Sequence, residues 1–258
     1  MPKLVPQILR FDSLPSTNLE AARRAMEGAA EGLCVVAAEQ TAGRGRLDRR
    51  WISPKDAGLY FSILLHPQMA QKEWPLLTLL AGVAVHDALL DSCALATDIK
   101  WPNDILANDR KLCGILAETL ETPSGRAVVI GIGINLTKKS FSEELAEVAT
   151  SIEGETGVAP SLEKVLEALV QNFSRYYEQI KRPSGDDEIL ARWSACSSYT
   201  MGKLVQVTEN KETFLGTTRG LEGDGALRVE TNTGEIRLVR AADVMSVRPT
   251  ESAKPRTT

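Results

Sequence analysis

Histidine is scarce in this chain of 258 residues: there are two, His66 and His86, far apart in sequence. A zinc site or a histidine-dependent triad is therefore not expected, and His66, which follows the apolar Ile63-Leu64-Leu65, reads as structural. Cysteine is also sparse. Cys34, Cys93, Cys113 and Cys196 are scattered with no C-x-x-C pair, the pattern of reduced, mostly buried thiols in a cytosolic protein. Positive charge is not in excess: the formal net charge is −4 and the pI about 5.4. A nucleic-acid partner needs a basic surface. The N-terminal Met-Pro-Lys-Leu-Val-Pro lacks the apolar core of a signal peptide. The longest apolar stretch, Leu76 to Leu90, is interrupted by Thr78, Gly82, His86 and Asp87, so it is too short and too polar to span a bilayer. No Gly-x-x-x-x-Gly-Lys-[Ser/Thr] occurs, and Gly131-Ile132-Gly133 has no third glycine at dinucleotide-binding spacing. A soluble, cytoplasmic protein is expected, with no nucleic-acid or membrane partner.

What the chain does have is a dense cationic segment, Gln40-Thr-Ala-Gly-Arg-Gly-Arg-Leu-Asp-Arg-Arg-Trp51. Arg44, Arg46, Arg49 and Arg50 sit among two glycines with no apolar period, so no face of this stretch can bury itself as strand or helix. A basic run can be a solvated surface loop. It also suits a multiply charged anion: glycine lets backbone approach closely, and guanidinium forks match phosphate and carboxylate oxygens. Trp51 offers a flat surface for a base.

The surrounding pattern is that of an α+β chain. Thr17 and Glu20 fit a capping box for a helix starting near Asn18 and ending at Gly28. Leu33 to Ala38 and Leu59 to Leu65 read as buried strands. Pro75 opens a helix running to about Cys93. Ile99 to Trp101 starts a strand, Asn108-Asp109 turns a hairpin between 105–107 and 111–120, Pro123-Ser124-Gly125 makes a second turn, and Val128 to Leu136 is the last core strand. Residues 161–181 carry a helical apolar period, followed by a linker at Arg182–Gly185 and a short helix around Ile189 to Ala195. From Met201, short β-type runs alternate with turns, predicting a small all-β barrel. The expected division is a domain at 1–198, a barrel at 199–250, and a disordered polar tail at 251–258.

Four segments, in order, make the chain resemble the biotin protein ligases: Ser16-Thr17-Asn18; Gly43-Arg44-Gly45-Arg46 with a following Trp51; Lys100-Trp101-Pro102-Asn103-Asp104 leading to Lys111-x-x-Gly114-Ile-Leu; and Gly131-x-Gly133-Ile-Asn135. Each motif is weak alone, but the ordered set is specific. The resemblance implies a mixed or antiparallel sheet with helices (a class II synthetase-like catalytic domain) and an SH3-like barrel. With the first motif so close to the start, it points to members without an N-terminal DNA-binding domain.

The implied reaction joins biotin and ATP as biotinyl-5′-AMP, with Mg²⁺, and transfers biotin to a lysine of a biotin carboxyl carrier protein, as in acetyl-CoA carboxylase. A lipoate or octanoate ligase or transferase relative, or a non-catalytic biotin-binding regulator, is the alternative. Two anions meet in the first step, so the site must supply fixed positive charge. It must then exclude water from the anhydride; a Gly/Arg loop folding over the ligands serves both needs. By the match, Lys111, Arg44 and Arg46 are the catalytic cations. Ser16, Thr17, Asn18, Gln40, Gly43, Arg44, Gly45, Arg46, Lys111, Gly114 and Gly131 bind biotin. Arg46, Trp51, Asn103, Asp104, Lys111 and Asn135 bind ATP, and Asp104 is a Mg²⁺ donor. Gly133 allows ligand approach. Arg49, Arg50 and Lys100 have no assigned role, and Asp48 is placed to pair with Arg49. Trp101 and Pro102 read as structural. The oligomeric state is left open, a homodimer being allowed.

Overall fold

The computed structural model describes residues 3–47, 49–209, 212–240 and 243–246. The expected tail at 251–258, the last residues of the expected barrel, and Asp48 lie outside them. Strand β1 (Gln7–Phe11) leads into helix α1 (Thr17–Met26), then β2 (Leu33–Ala37), β3 (Gly58–Leu65) and helix α2 (Pro75–Cys93). Next come β4 (Asp98–Lys100), β5 (Asp104–Ala107), β6 (Arg110–Thr122) and β7 (Gly125–Asn135). Helices α3 (Ile152–Thr156), α4 (Leu162–Ile180) and α5 (Gly185–Ala195) follow. The chain ends in β8 (Met201–Glu209), β9 (Glu212–Leu221), β10 (Leu227–Thr231), β11 (Ile236–Val239) and β12 (Asp243–Ser246).

The first seven strands make one mixed sheet, ordered β1-β2-β3-β7-β6-β5-β4. Only β1–β2 is parallel; the other pairs are antiparallel. The long β6–β7 hairpin follows from its alternation. On β7, Ile130, Ile132 and Ile134 face one side and Gly131, Gly133 and Asn135 the other, because successive side chains point to opposite faces. The isoleucine side joins the main core, under α2, α4 and α5. Helix α2 is apolar around most of its circumference, as a core helix must be. Helix α4 instead buries one stripe, Val165, Leu166, Leu169, Phe173, Tyr176, Tyr177 and Ile180. Truncating Phe173 to alanine there should cost about 3–5 kcal/mol. The three helices are tied by buried Asp87, which accepts from Tyr176 Oη, from Arg175 Nη2 at 3.1 Å and from Arg192 Nη2 at 2.5 Å.

On the other face, α1 covers only part of the sheet, through Ala21 and Ala25 against Val35, Leu64, Ala127 and Val129. The glycine-bearing half is left uncovered by helix, and the candidate site lies there. The hairpin at Asn108 (φ 48°) and Asp109 (φ 59°) is as expected, since Asn and Asp tolerate the left-handed region that a tight hairpin demands.

Several expectations need correction. Thr17 and Glu20 form no capping box: Ser16 is the N-cap without a side-chain bond, and Gln40 Oε1 accepts from Thr17 N at 2.9 Å instead. Glu20 is turned to Arg23 and Arg24, where a guanidinium outcompetes a backbone amide as partner. Strand β4 ends at Lys100, and Trp101 lies in the turn. Helix α5 begins at Gly185, inside the expected linker. Neither β1 nor α3 was anticipated; each is five residues long, too short to display a period.

The C-terminal strands form an antiparallel sheet ordered β11-β10-β9-β8-β12. Its inward Val205, Val207, Leu227, Val229, Val239 and Val244 join the main core. Trp101 Nε1 donates to Gly225 O at 3.0 Å, across the junction.

Candidate active site

A cavity of about 290 Å³ opens over the glycine half of the sheet. Its floor is Gly131 and Gly133 of β7 with Gly114 and Leu116 of β6, directly paired as Gly114↔Gly133 and Leu116↔Gly131. The start of α1, the arginine loop and the β5–β6 hairpin form its walls, and Phe141, Leu145, Val148 and Ala149 close the far side. Every expected site residue except Gly43 lines it. Gly43 packs behind the loop, where a Cβ would lie 2.4 Å from Trp51 O, so its role is to let the loop backbone close on itself. Lys100 is also outside the lining; Arg49 and Arg50 are part of it.

The biotin-assigned polar residues form one network. Ser62, the one serine in the buried strand β3, lies 2.8 Å from Thr17 Oγ1 and 2.6 Å from Asn18 Oδ1. Gln40 Oε1 accepts from Thr17 Oγ1 at 3.2 Å, and Gln40 Nε2 donates to Ser53 Oγ at 2.9 Å. Asn18 Nδ2 donates to Glu118 Oε2 at 2.8 Å. Gly131 is required by Asn18 itself, whose Oδ1 sits 2.1 Å from where a Cβ on Gly131 would be. What the glycine permits here is the close approach of the asparagine to the sheet.

The arginine loop is a short hairpin. Gly45 N donates to Arg49 O at 2.7 Å and Trp51 N to Gly43 O at 3.0 Å. Arg44 grips Glu118 with both terminal nitrogens, Nη2 to Oε1 at 2.9 Å and Nη1 to Oε2 at 3.2 Å. Arg46 Nη1 donates to Asn103 Oδ1 at 3.2 Å. Trp51 lays its indole over the Gly114–Gly133 pair, with Lys111 Nζ 5.6 Å from the ring centroid. Its Nε1 is buried and makes no hydrogen bond among the described residues.

Lys111 projects into the cavity beside Asp104, Nζ to Oδ1 at 2.6 Å. Asp104, expected as a magnesium donor, is here the lysine's counter-ion. The lysine's backbone is clamped from both sides, Lys111 N to Val148 O at 2.8 Å and Thr150 N to Lys111 O at 2.9 Å. Asn135, expected to bind nucleotide, spends its amide on Thr150 O at 2.9 Å and thereby holds that clamp. Asn103 likewise donates Nδ2 to Ile115 O at 2.8 Å, leaving its carbonyl for Arg46. Burial pushes the neighbouring Cys113 thiol well above its ordinary range, so it stays neutral and is no nucleophile. Two loop cations, Lys111 and an indole over a glycine floor make a site for an anion joined to a flat ring.

Sequence reasoning missed Ser62, Glu118 and the 140–149 wall. Ser62 had a signal, a small polar side chain within an apolar strand. Glu118 had none beyond sharing the sheet face of Gly114 and Leu116.

Comparison with known proteins gives the chain's family and fold. Residues 9–135 match the Biotin/lipoate A/B protein ligase family, and residues 200–245 match the biotin protein ligase C-terminal domain. The chain is 37% identical over 242 residues to the bifunctional ligase/repressor BirA of Bacillus subtilis, covering 92% of this chain and 73% of that protein. It is 35% identical over 236 residues to the biotin–[acetyl-CoA-carboxylase] ligase of Paracoccus denitrificans, covering 89% and 96%. Its fold is similar to the biotin protein ligase of Aquifex aeolicus solved with biotin and ATP, at TM-score 0.82 and 28% identity, covering 93% of this chain and 99% of that one.

Proposed function

The chain belongs to the biotin protein ligase family, and on that premise we propose how its cavity carries out the family's reaction. The enzyme activates biotin with ATP and passes it to a lysine of a biotin carboxyl carrier protein. A biotin carboxylate oxygen attacks the α-phosphorus, the bond to the β-phosphate breaks, and pyrophosphate leaves. The unprotonated carrier amine then attacks the acyl carbon, AMP departs with the anhydride's bonding pair, and the amine's surplus proton goes to solvent.

The observation that carries the assignment of roles is Lys111, its backbone clamped by Val148 and Thr150 and its ammonium set beside Trp51 at the glycine floor. In our reading its ammonium lies where carboxylate and phosphate meet, and leaves Asp104 to neutralise the charge that gathers there. Arg44 and Arg46 hold the two anions, the Thr17–Asn18–Gln40 network meets the ureido ring, and Trp51 meets adenine. Preorganised cations cost no reorganisation during reaction, which is why a clamped lysine outperforms a flexible one.

Mg²⁺ belongs to this proposal as an ion that arrives on the ATP phosphates, where it screens their charge. The protein's donors for it are few: Asp104 pairs with Lys111, Asn103 Oδ1 accepts from Arg46, and no cluster of three His, Cys, Asp or Glu stands among the described residues. Cytoplasmic residence accords with four unpaired cysteines. A homodimer is the assembly to test by sedimentation, since β1 ends the seven-stranded sheet with an open edge.

The test is incubation with ATP, Mg²⁺, biotin and a biotin carboxyl carrier domain, followed by intact mass. One added biotin per carrier is expected. An unmodified carrier, or preferential attachment of lipoate, overturns the reading.

A further inference from the structure

Glu118 stands outside the cavity lining, yet two cavity residues end on its carboxylate. We propose that Glu118 is a positioning residue that seats the arginine loop and the start of α1 in binding register, acting through Arg44 and Asn18. The proposal rests on the biotin-activating reading of the cavity.

Glu118 shares a face of β6 with Gly114 and Leu116, two and one strand periods further into the site. From there its carboxylate reaches two elements, α1 and the arginine loop. Toward α1, it accepts from Asn18 Nδ2 at 2.8 Å. A carboxylate and a carbonyl oxygen only accept, and Leu116 O takes the same Asn18 nitrogen at 3.3 Å, so the amide has one orientation, nitrogen toward β6 and oxygen toward β3, 2.6 Å from Ser62 Oγ. Toward the loop, it takes Arg44 in a two-pronged pair at 2.9 and 3.2 Å. A planar fork on a carboxylate fixes direction as well as distance. Arg44 thus enters the cavity rim with its guanidinium already aimed, and the loop backbone of Gly45 and Arg46 follows it.

Alone, the ion pair would add little: Arg44 is 45% and Glu118 30% exposed, and half-exposed pairs contribute weakly to stability. Its effect is on binding. A loop held in register before the ligand arrives does not pay its ordering entropy on binding. Loss of Glu118 should therefore raise KM for biotin more than it lowers kcat, the signature of weaker preorganised binding rather than lost chemistry.

The experiment uses the full chain with Glu118→Gln, Arg44→Ala and the double variant. Gln is isosteric, still accepts from Asn18, and abolishes the charge on Arg44's partner. At an unchanged melting temperature, Glu118→Gln should speed tryptic cleavage after Arg44 without ligands and raise KM for biotin, each by about three- to tenfold, the scale of one net hydrogen bond in a partly exposed pair. In the Arg44→Ala background it should change KM no further, because the two act as one unit. Glu118→Asp, which keeps the charge, should fall nearer wild type, and it replaces Gln as the test if Gln lowers stability. Unchanged cleavage and KM, a fall in kcat alone, or full additivity with Arg44→Ala overturns the proposal. The cleavage arm needs no biotin, so it decides the positioning role even if wild-type enzyme fails to adenylate biotin, the outcome that would count against the functional reading.

Discussion

A Cβ on Gly133 would lie 2.5 Å from the indole nitrogen of Trp51. The ring rests directly on the backbone of β7, and only glycine there permits it. Gly133→Ala should therefore lift the indole off the sheet. We expect altered tryptophan emission, about 1–3 kcal/mol of lost stability from overpacking, and weakened nucleotide binding. Wild-type emission and melting would mean the ring adjusts without cost.

Trp51→Ala should weaken ATP binding much more than biotin binding. Stacking on a base is worth roughly 1–3 kcal/mol in single-strand nucleic-acid binders, and the buried Nε1, unpaired among the described residues, leaves the indole no hydrogen bond of its own to lose. Calorimetry with each ligand separately decides it: an unchanged ATP affinity removes Trp51 from the nucleotide site.

Lys111→Ala should cut adenylate formation by a factor on the order of 10²–10³, the loss typical of one preorganised electrostatic contact. It also leaves Asp104, 2.6 Å from the lost ammonium, as an uncompensated negative charge facing the incoming anions. Pyrophosphate release at wild-type rate would exclude Lys111 as the catalytic cation.

Removing residues 200–258 should damage both adenylation and transfer. Val205, Val207, Leu227 and Val229 are part of the main core, so the deletion exposes apolar surface, and Trp101 Nε1 loses Gly225 O. Trp101→Phe isolates that second effect and should cost about 1 kcal/mol, read as a lower denaturation midpoint. A variant as stable as wild type would show the junction holds without that bond.

Acid should loosen α1 before the main core. Hydrogen bonds from Arg23 and Arg24 outweigh burial and hold the Glu20 carboxyl down to about 2, from an ordinary value of 4.5. A depressed folded pKa means the stabilisation is complete above the unfolded value and fades as pH falls from about 4.5 towards 2. Amide exchange in 17–26 should accelerate over that window in wild type. In Glu20→Gln it should already be fast at neutral pH and insensitive to acid. Equal profiles would show that the pair does not stabilise the helix.

Much of this protein is set locally. The span of α2 from Pro75 to Cys93 matches its proline start and its high apolar content. The Gly-Ile-Gly-Ile-Asn alternation of β7 specifies a sheet with one packed and one open face, because the period of a strand is two whatever surrounds it. The cavity-lining residue types were legible too: glycines, arginines and a lysine in ordered segments declare what they cannot do elsewhere. Tertiary structure decided the partners. That Gln40 caps α1 in place of Glu20, that Asn135 holds a backbone clamp, and that Glu118 joins Arg44 to Asn18 are all contacts between separate segments. A carboxylate or amide in isolation accepts many partners of comparable strength. Which one it takes is fixed by which strands the sheet brings side by side, and no local pattern encodes that adjacency.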